Sequence, residues 1–154
     1  MNSIESRLAE LGIALPQPPK PIANYVPYVL AGGLLTVSGQ IPIKDGQLMY
    51  PGKLGDEVDI EQGQMAARLA LVNLLAQVKI ACDGDLGRVV RVVRLGGFIA
   101  ATSNFSGHAQ VMNGASDLIV DIFGEPGKHA RSTVGVSSLP VNAAVEIEGL
   151  FQIR

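Results

Sequence analysis

The sequence predicts a single α+β domain in which two helices pack on one face of a β-sheet. Three observations carry this expectation. Patterned segments follow one another in the order α-β-β-α-β-α-β-β. The two longer helical segments each show one apolar stripe. The last two strands alternate with period two, which makes one sheet face apolar enough to hold both helices and leaves the other polar. A length of 154 residues suits one domain, and 47% apolar against 17% charged residues excludes a disordered chain.

Each element has its own signals. Asn2 is placed to cap a first helix, with Glu5 three residues later, and Gly12 ends it before a proline-rich connector over 16–21. Residues 25–30 and 34–40 read as strands joined through Ala31-Gly32-Gly33, and 44–55 reads as turns. Asp59 caps the longest helix, whose stripe is Ala67, Leu71, Leu74, Val78 and Ala81, with Gly84 past its end. Residues 89–95 form a strand, Gly96-Gly97 breaks the pattern, and 100–107 reads as a loop. A second helix over 108–123 is ended by Gly124, Pro126 and Gly127, and strands over 131–138 and 144–153 close the chain.

Composition narrows the function. A net charge of −2 without a Lys/Arg stripe gives no footprint for nucleic acid. The single cysteine, Cys82, excludes an internal disulfide and suits a reducing cytosol, and no Cys/His cluster offers a zinc framework. Residues 1–11 mix both charge signs into apolar positions, unlike a signal peptide. Residues 21–43 carry no charge, but Pro21, Asn24, Pro27, Gly32, Gly33 and Pro42 make strands and turns the expectation there rather than a membrane span. A soluble, cytoplasmic protein with small-molecule partners is expected.

Alternation places Val134, Val136, Val145, Ile147, Phe151 and Ile153 on one side of the last two strands. Arg131, Thr133, Gly135, Ser137, Glu146, Glu148 and Gln152 fall on the other, with Leu150 among them. If these strands are neighbours, Arg131 shares a face with the carboxylates. Arg131 then either forks onto a small-molecule carboxylate or pairs across strands with Glu146 or Glu148. Ser38-Gly39-Gln40 either presents a hydroxyl and a backbone N–H to the same ligand or simply ends a strand. Glu146 either positions water or faces solvent. His108 and His129 show no metal spacing and read as solvated residues, and Cys82 reads as packing.

Tyr25-Val26, Ser38-Gly39-Gln40-Ile41-Pro42, Ala130-Arg131-Ser132-Thr133-Val134-Gly135-Val136, Leu139-Pro140 and Val145-Glu146-Ile147-Glu148 together resemble the RidA/YjgF family in order and approximate spacing. The resemblance runs from about Tyr25 to the C-terminus. It implies a chorismate-mutase-like α+β fold with a mixed sheet, assembled as a homotrimer with clefts between subunits. It further implies hydrolysis of reactive 2-imino and enamine acids, without metal or organic cofactor. Arg131 would fork onto the substrate carboxylate, Gly39 would donate to it, and Tyr25, Ser38, Asn113, Thr133 and Glu146 would line the cleft. Residues 1–20 would form an added helix and arm, and 21–154 the family-like domain. Thr133 stands where many members carry cysteine, 96–108 is longer than the usual connection, and 124–129 differs from the common proline-containing approach to the arginine. The alternative from a different class is a non-catalytic, regulatory binder of small carboxylates. The ribonuclease label attached to some members finds no basic aromatic platform here.

Overall fold

Side-chain caps and paired glycines decide where the elements of this chain begin and turn. The computed structural model describes residues 3–18 and 24–154. Helix α1 (Ile4–Glu10) is capped by Ser3, whose hydroxyl accepts from the Ser6 N–H at 3.1 Å. Asn2, the expected cap, lies outside the described residues, as does the end of the connector from residue 19 to 23. The Glu5 carboxylate accepts from the Leu86 N–H at 3.2 Å. With Leu8 buried and Arg7 donating to the Asp121 carbonyl at 2.7 Å, α1 lies against the body of the protein.

Strands β1 (Tyr28–Ala31) and β2 (Leu34–Gln40) form the expected hairpin. Gly32 and Gly33 turn it with φ of 59° and 78°, the positive values that a two-residue turn matched to strand twist demands. The first strand starts three residues later than expected, because the chain is bent and irregular over 24–27. The segment read as turns contains a second, small hairpin, β3 (Ile43–Lys44) and β4 (Gln47–Leu48), about Asp45-Gly46. The Asn73 amide holds it by donating to the Ile41 and Ile43 carbonyls, each at 2.9 Å.

Helix α2 (Ile60–Ala81) starts in a full capping box: Asp59 accepts from the Gln62 N–H at 2.8 Å and Gln62 accepts from the Asp59 N–H at 3.0 Å. Helix α3 (His108–Phe123) has the expected bounds, and its apolar positions Val111, Met112, Ala115, Leu118, Ile119 and Ile122 are all buried. Both helices cover one face of a five-stranded sheet completed by β5 (Val89–Ala100), β6 (Ala130–Val136) and β7 (Val145–Ile153). The strand order is β1-β2-β7-β5-β6, with β5 and β6 parallel and the other pairs antiparallel.

Two expectations are corrected here. Gly96-Gly97 does not break β5, which continues to Ala100, so the loop that follows is shorter than expected. The glycines are there for closeness: a Cβ on Gly97 would lie 2.5 Å from Met112 Sδ, and one on Gly96 would lie 2.9 Å from Glu148 Cγ. The final two strands are not neighbours, because β5 runs between them. Arg131, Thr133 and Gly135 pair with Leu95, Gly97 and Ile99 of β5, whose side chains face the helices, so these three β6 residues lie on the helix side. Val134, taken for core, is 48% exposed on the opposite, open face.

The helices also cross each other closely. A Cβ on Gly114 of α3 would overlap the Gln64 backbone carbonyl of α2, and one on Gly63 would lie 2.8 Å from Leu54 Cδ1. Backbone cannot swing aside as a side chain can, so Gly114→Ala must force the helices apart. It should destabilise the protein by about 1–3 kcal/mol in urea denaturation, in spite of alanine's better helix propensity. A midpoint equal to or above that of the unaltered protein would contradict this packing.

Candidate functional site

Two clusters of polar groups form, one on each side of the sheet. On the helix side, Arg131 leaves the edge strand β6 beneath α3 and is half-buried. Its Nη1 donates to Asn113 Oδ1 at 2.9 Å and to Ser116 Oγ at 3.0 Å, and its Nη2 donates to the Ala109 carbonyl at 3.4 Å. Asn113 and Ser116 are one turn apart on α3, so the helix presents both to the same guanidinium. Behind them, Ser116 Oγ lies 2.9 Å from His129 Nε2, and His129 Nδ1 lies 2.7 Å from the Gly127 carbonyl. Thr133, two residues along β6, has a buried hydroxyl with no hydrogen-bond partner among the described residues.

This arrangement overturns the cross-strand pairing weighed for Arg131. Among the described residues no carboxylate lies within ion-pair distance of it. Glu148 instead faces Arg94 at 3.9 Å across the open face. Arg131 is therefore a cation oriented entirely by neutral acceptors, which fix its direction without cancelling its charge.

On the open face, Glu146 sits against Gly39, where a Cβ would lie 2.8 Å from the carboxyl carbon Cδ. Only glycine leaves room there for the carboxylate. Ser38 and Gly39 fall inside the register shift between Val37 and Gln40 on the β7 edge, where a bulge takes residues out of regular pairing. Ser38 Oγ donates to the Val26 carbonyl at 3.1 Å and its N–H to the Pro27 carbonyl at 2.8 Å, tying down the chain before β1. Ser38, Gly39 and Glu148 share a groove of about 250 Å³ with Tyr28 and Thr36. Tyr25, next to this segment, is 66% exposed. Burial, reinforced by the like charge of Glu148, holds the Glu146 carboxyl above the usual glutamate range.

The sequence-predicted residues thus divide into two sets. Arg131, Asn113 and Thr133 gather under α3; Ser38, Gly39 and Glu146 gather on the open face, with Tyr25 at its margin. From β6 to β7 is two strand spacings, roughly 10 Å, and the sheet itself lies between the sets. Ser116 escaped sequence reasoning, with only the i, i+3 spacing of Asn113 and Ser116 to hint at it, and His129 was weighed but read as solvated. Both histidines, expected to be solvated, are half-buried: His129 is hydrogen-bonded and His108 meets the Phe105 ring edge-on at 5.1 Å between centroids. Cys82 is fully buried, as expected, and burial pushes its thiol up. A larger cleft, about 540 Å³ and lined by Ile60, Thr102, Phe105 and Gln110 among others, holds no titratable side chain. Among the described residues no His/Cys/Asp/Glu group could hold a metal, and no helix is long and apolar enough to cross a membrane.

The raised Glu146 value has a consequence for stability. The folded state holds this proton to higher pH than the unfolded chain does, so stability rises as pH falls through the folded value and the gain is complete below the ordinary glutamate value. At neutral pH the ionised carboxylate costs stability. Glu146→Gln should therefore raise Tm at pH 7 and flatten its dependence on pH in the mildly acidic range. An unchanged Tm at pH 7 would show that burying this carboxylate costs nothing.

Comparison with known proteins agrees with this fold. A crystal structure of Atu1372 from Agrobacterium tumefaciens, titled as of unknown function, matches with TM-score 0.92 and 49% identity, covering 98% of this chain and 92% of that one. Escherichia coli TdcF with bound serine matches with TM-score 0.63 and 26% identity, covering 90% and 94%. Protein TCP17 of Trypanosoma cruzi is 44% identical over 98% of this chain and 94% of its own. A 2-iminobutanoate/2-iminopropanoate deaminase of Dermatophagoides farinae is 32% identical over 92% and 95%. The family described as "YjgF/chorismate_mutase-like, putative endoribonuclease" matches residues 5–151. With its α+β chorismate-mutase-like fold, this chain belongs to the YjgF/RidA family.

Proposed function

We propose that the protein hydrolyses reactive 2-imino and enamine acids to 2-oxo acids and ammonia, in clefts between the subunits of a homotrimer. The observation that carries this reading is the half-buried Arg131 guanidinium, aimed by Asn113 and Ser116 and left without a carboxylate partner among the described residues. Such a cation is suited to a substrate carboxylate. The naming of a 32% identical relative as a 2-iminobutanoate/2-iminopropanoate deaminase supports the same substrate class.

The two sets of residues motivate the assembly. Arg131 and Glu146 of one chain cannot meet one small molecule, because the sheet separates them. A second copy that lays its Ser38–Gly39–Glu146 face against the β6 edge brings them together. The open face, where Val29, Leu34 and Val134 are each 45–49% exposed beside the carboxylates, is the surface that association would cover.

In this reading Arg131 and the Gly39 N–H hold the carboxylate, and Thr133 offers its unpartnered hydroxyl. Ser38 and Tyr25 orient the substrate. Glu146 takes a proton from water as the oxygen attacks the imine carbon, giving a carbinolamine. It returns that proton to the amine nitrogen, and the C–N bond breaks to release ammonia as the hydroxyl oxygen becomes the carbonyl of the 2-oxo acid and passes its proton back to the Glu146 carboxylate, which loses it to solvent. A carboxyl group held above its ordinary range is well matched to taking and returning a proton. The imine is already an electrophile, so placement and proton transfer suffice. The other reading, a carboxylate-binding regulator, draws on a 30% identical Lactococcus lactis protein named as a regulator, AldR.

Coupled turnover separates the readings. With 2-imino acids generated by an amino-acid oxidase, the protein should accelerate ammonia and 2-oxo acid release. Carboxylate binding without acceleration would favour the regulator. Arg131→Lys keeps the charge but loses the planar fork, and should lower kcat/KM by about tenfold to a hundredfold with little change in Tm. As pH falls, activity should decline at a higher pH than an ordinary glutamate would give, and Glu146→Gln should abolish that limb together with most turnover. Mixing Arg131→Ala with Glu146→Gln chains should restore roughly a quarter of the sites by random exchange, whereas no recovery after verified exchange would reject sites shared between subunits.

A further inference from the structure

The row of groups behind Arg131 determines which edge of the guanidinium is free. A carbonyl only accepts, so the Gly127 contact places a proton on His129 Nδ1. In the neutral ring Nε2 is then an acceptor, and the Ser116 hydroxyl donates to it. With its proton so committed, Ser116 Oγ turns its lone pairs to Arg131 Nη1. Asn113 Oδ1 takes the other Nη1 proton. Both Nη1 hydrogens are thereby used, and Nη2 gives one of its two hydrogens to the Ala109 carbonyl in a long contact of 3.4 Å, which leaves its second hydrogen and the Nε–H without a partner among the described residues.

An arginine can offer two parallel donors to a carboxylate either end-on, through Nη1 and Nη2, or side-on, through Nε and Nη2. The end-on mode needs an Nη1 hydrogen, and none is left. We propose that Ser116 and His129 are positioning residues that commit Arg131 to receive its carboxylate side-on, through Nε and Nη2. Neither touches the ligand. The Ser-His-carbonyl sequence is not a nucleophilic triad, because Ser116 lies in the third turn of α3, whose backbone N–H groups are spent within the helix and supply no oxyanion site.

This inference rests on the carboxylate reading of Arg131 and deepens it. It predicts that KM rather than kcat carries the effect, because the network sets the geometry of carboxylate capture and leaves proton transfer at Glu146 alone. It also distinguishes residue types. Ser116→Ala removes the acceptor and His129→Phe removes what orients it, whereas Ser116→Thr keeps the hydroxyl and His129→Gln keeps an acceptor for it.

The test uses the full-length protein labelled with ¹⁵N-arginine, with 2-oxobutanoate as the stable carboxylate probe and amino-acid-oxidase-generated imine as substrate. In the free protein, Arg131 should show slowed rotation about Nε–Cζ, with resolved Nη signals that merge in Ser116→Ala and His129→Phe and persist in Ser116→Thr and His129→Gln. On adding 2-oxobutanoate, the Nε–H resonance should shift. The two disruptive variants should raise KM about three- to tenfold with kcat within about twofold, and the two conservative ones should restore it. If the protein turns over imines while Ser116→Ala and His129→Phe keep both the wild-type KM and the wild-type Arg131 spectrum, the positioning role is overturned. A carboxylate-induced shift at Nη1 with none at Nε overturns the side-on geometry. If the wild-type protein neither binds 2-oxobutanoate nor hydrolyses imines, the functional reading fails; merging of the Nη signals in the disruptive variants still supports the network's hold on the guanidinium.

Discussion

The approach of α3 to the sheet and to α2 is the constraint on which the rest of the structure depends. Three contacts define it, and each is closed by a residue without a side chain. Met112 rests on Gly97, His108 rests on Gly135, and Gly114 abuts the Gln64 carbonyl. Side chains at these positions would lift α3, and a lift of even an ångström would take Asn113 and Ser116 out of hydrogen-bond reach of Arg131. Packing and site are thus one problem. The glycines that look like weak points in a strand and a helix set the distance at which a polar network can form. The arm contributes from the other end, where Arg7 of α1 holds the Asp121 carbonyl near the close of α3.

Electrostatics divides the molecule as sharply as the sheet does. Arg131 keeps its charge because its partners are neutral, and Glu146 resists ionisation because it is partly buried beside Glu148. In each case a charged group is prepared and left without an opposite charge among the described residues. Arg94 shows the ordinary alternative, a loose contact at 3.9 Å with Glu148 between half-exposed groups, worth at most about 1 kcal/mol.

The sequence disclosed what local chemistry determines. The Asp59 cap, the Gly32-Gly33 turn and the stripe of α3 were legible because each is written within a few neighbouring residues. Strand alternation brought Arg131 and Glu146 forward with two readings each, and the family pattern joined them with Gly39 as one candidate site. The sides of β6 were not. Period two separates Arg131 from Val134 but does not say which of them faces the helices; that depends on β5 entering between β6 and β7. Two valines on an edge strand look like core, and Val134 is half-exposed. Gly96-Gly97 misled for a related reason, since a glycine pair reads the same whether the chain must turn or another element must come close.

The Ser116–His129 contact was invisible for a further reason. Thirteen residues and the end of a helix separate the two, and the bond exists only because the turn after α3 folds back on it. A Cβ on Gly127 would lie 2.6 Å from the Ile119 carbonyl, so that return is as tight as the helix crossing. The same turn delivers the Gly127 carbonyl to His129 Nδ1 at 2.7 Å and leads directly into β6. One short segment therefore does two things at once: it aims the histidine and it delivers Arg131. Thr133, one alternation further along the strand, is left with a buried hydroxyl that nothing among the described residues satisfies. An unmet donor of that kind costs on the order of 1–3 kcal/mol, a cost that a polar ligand beside Arg131 would relieve.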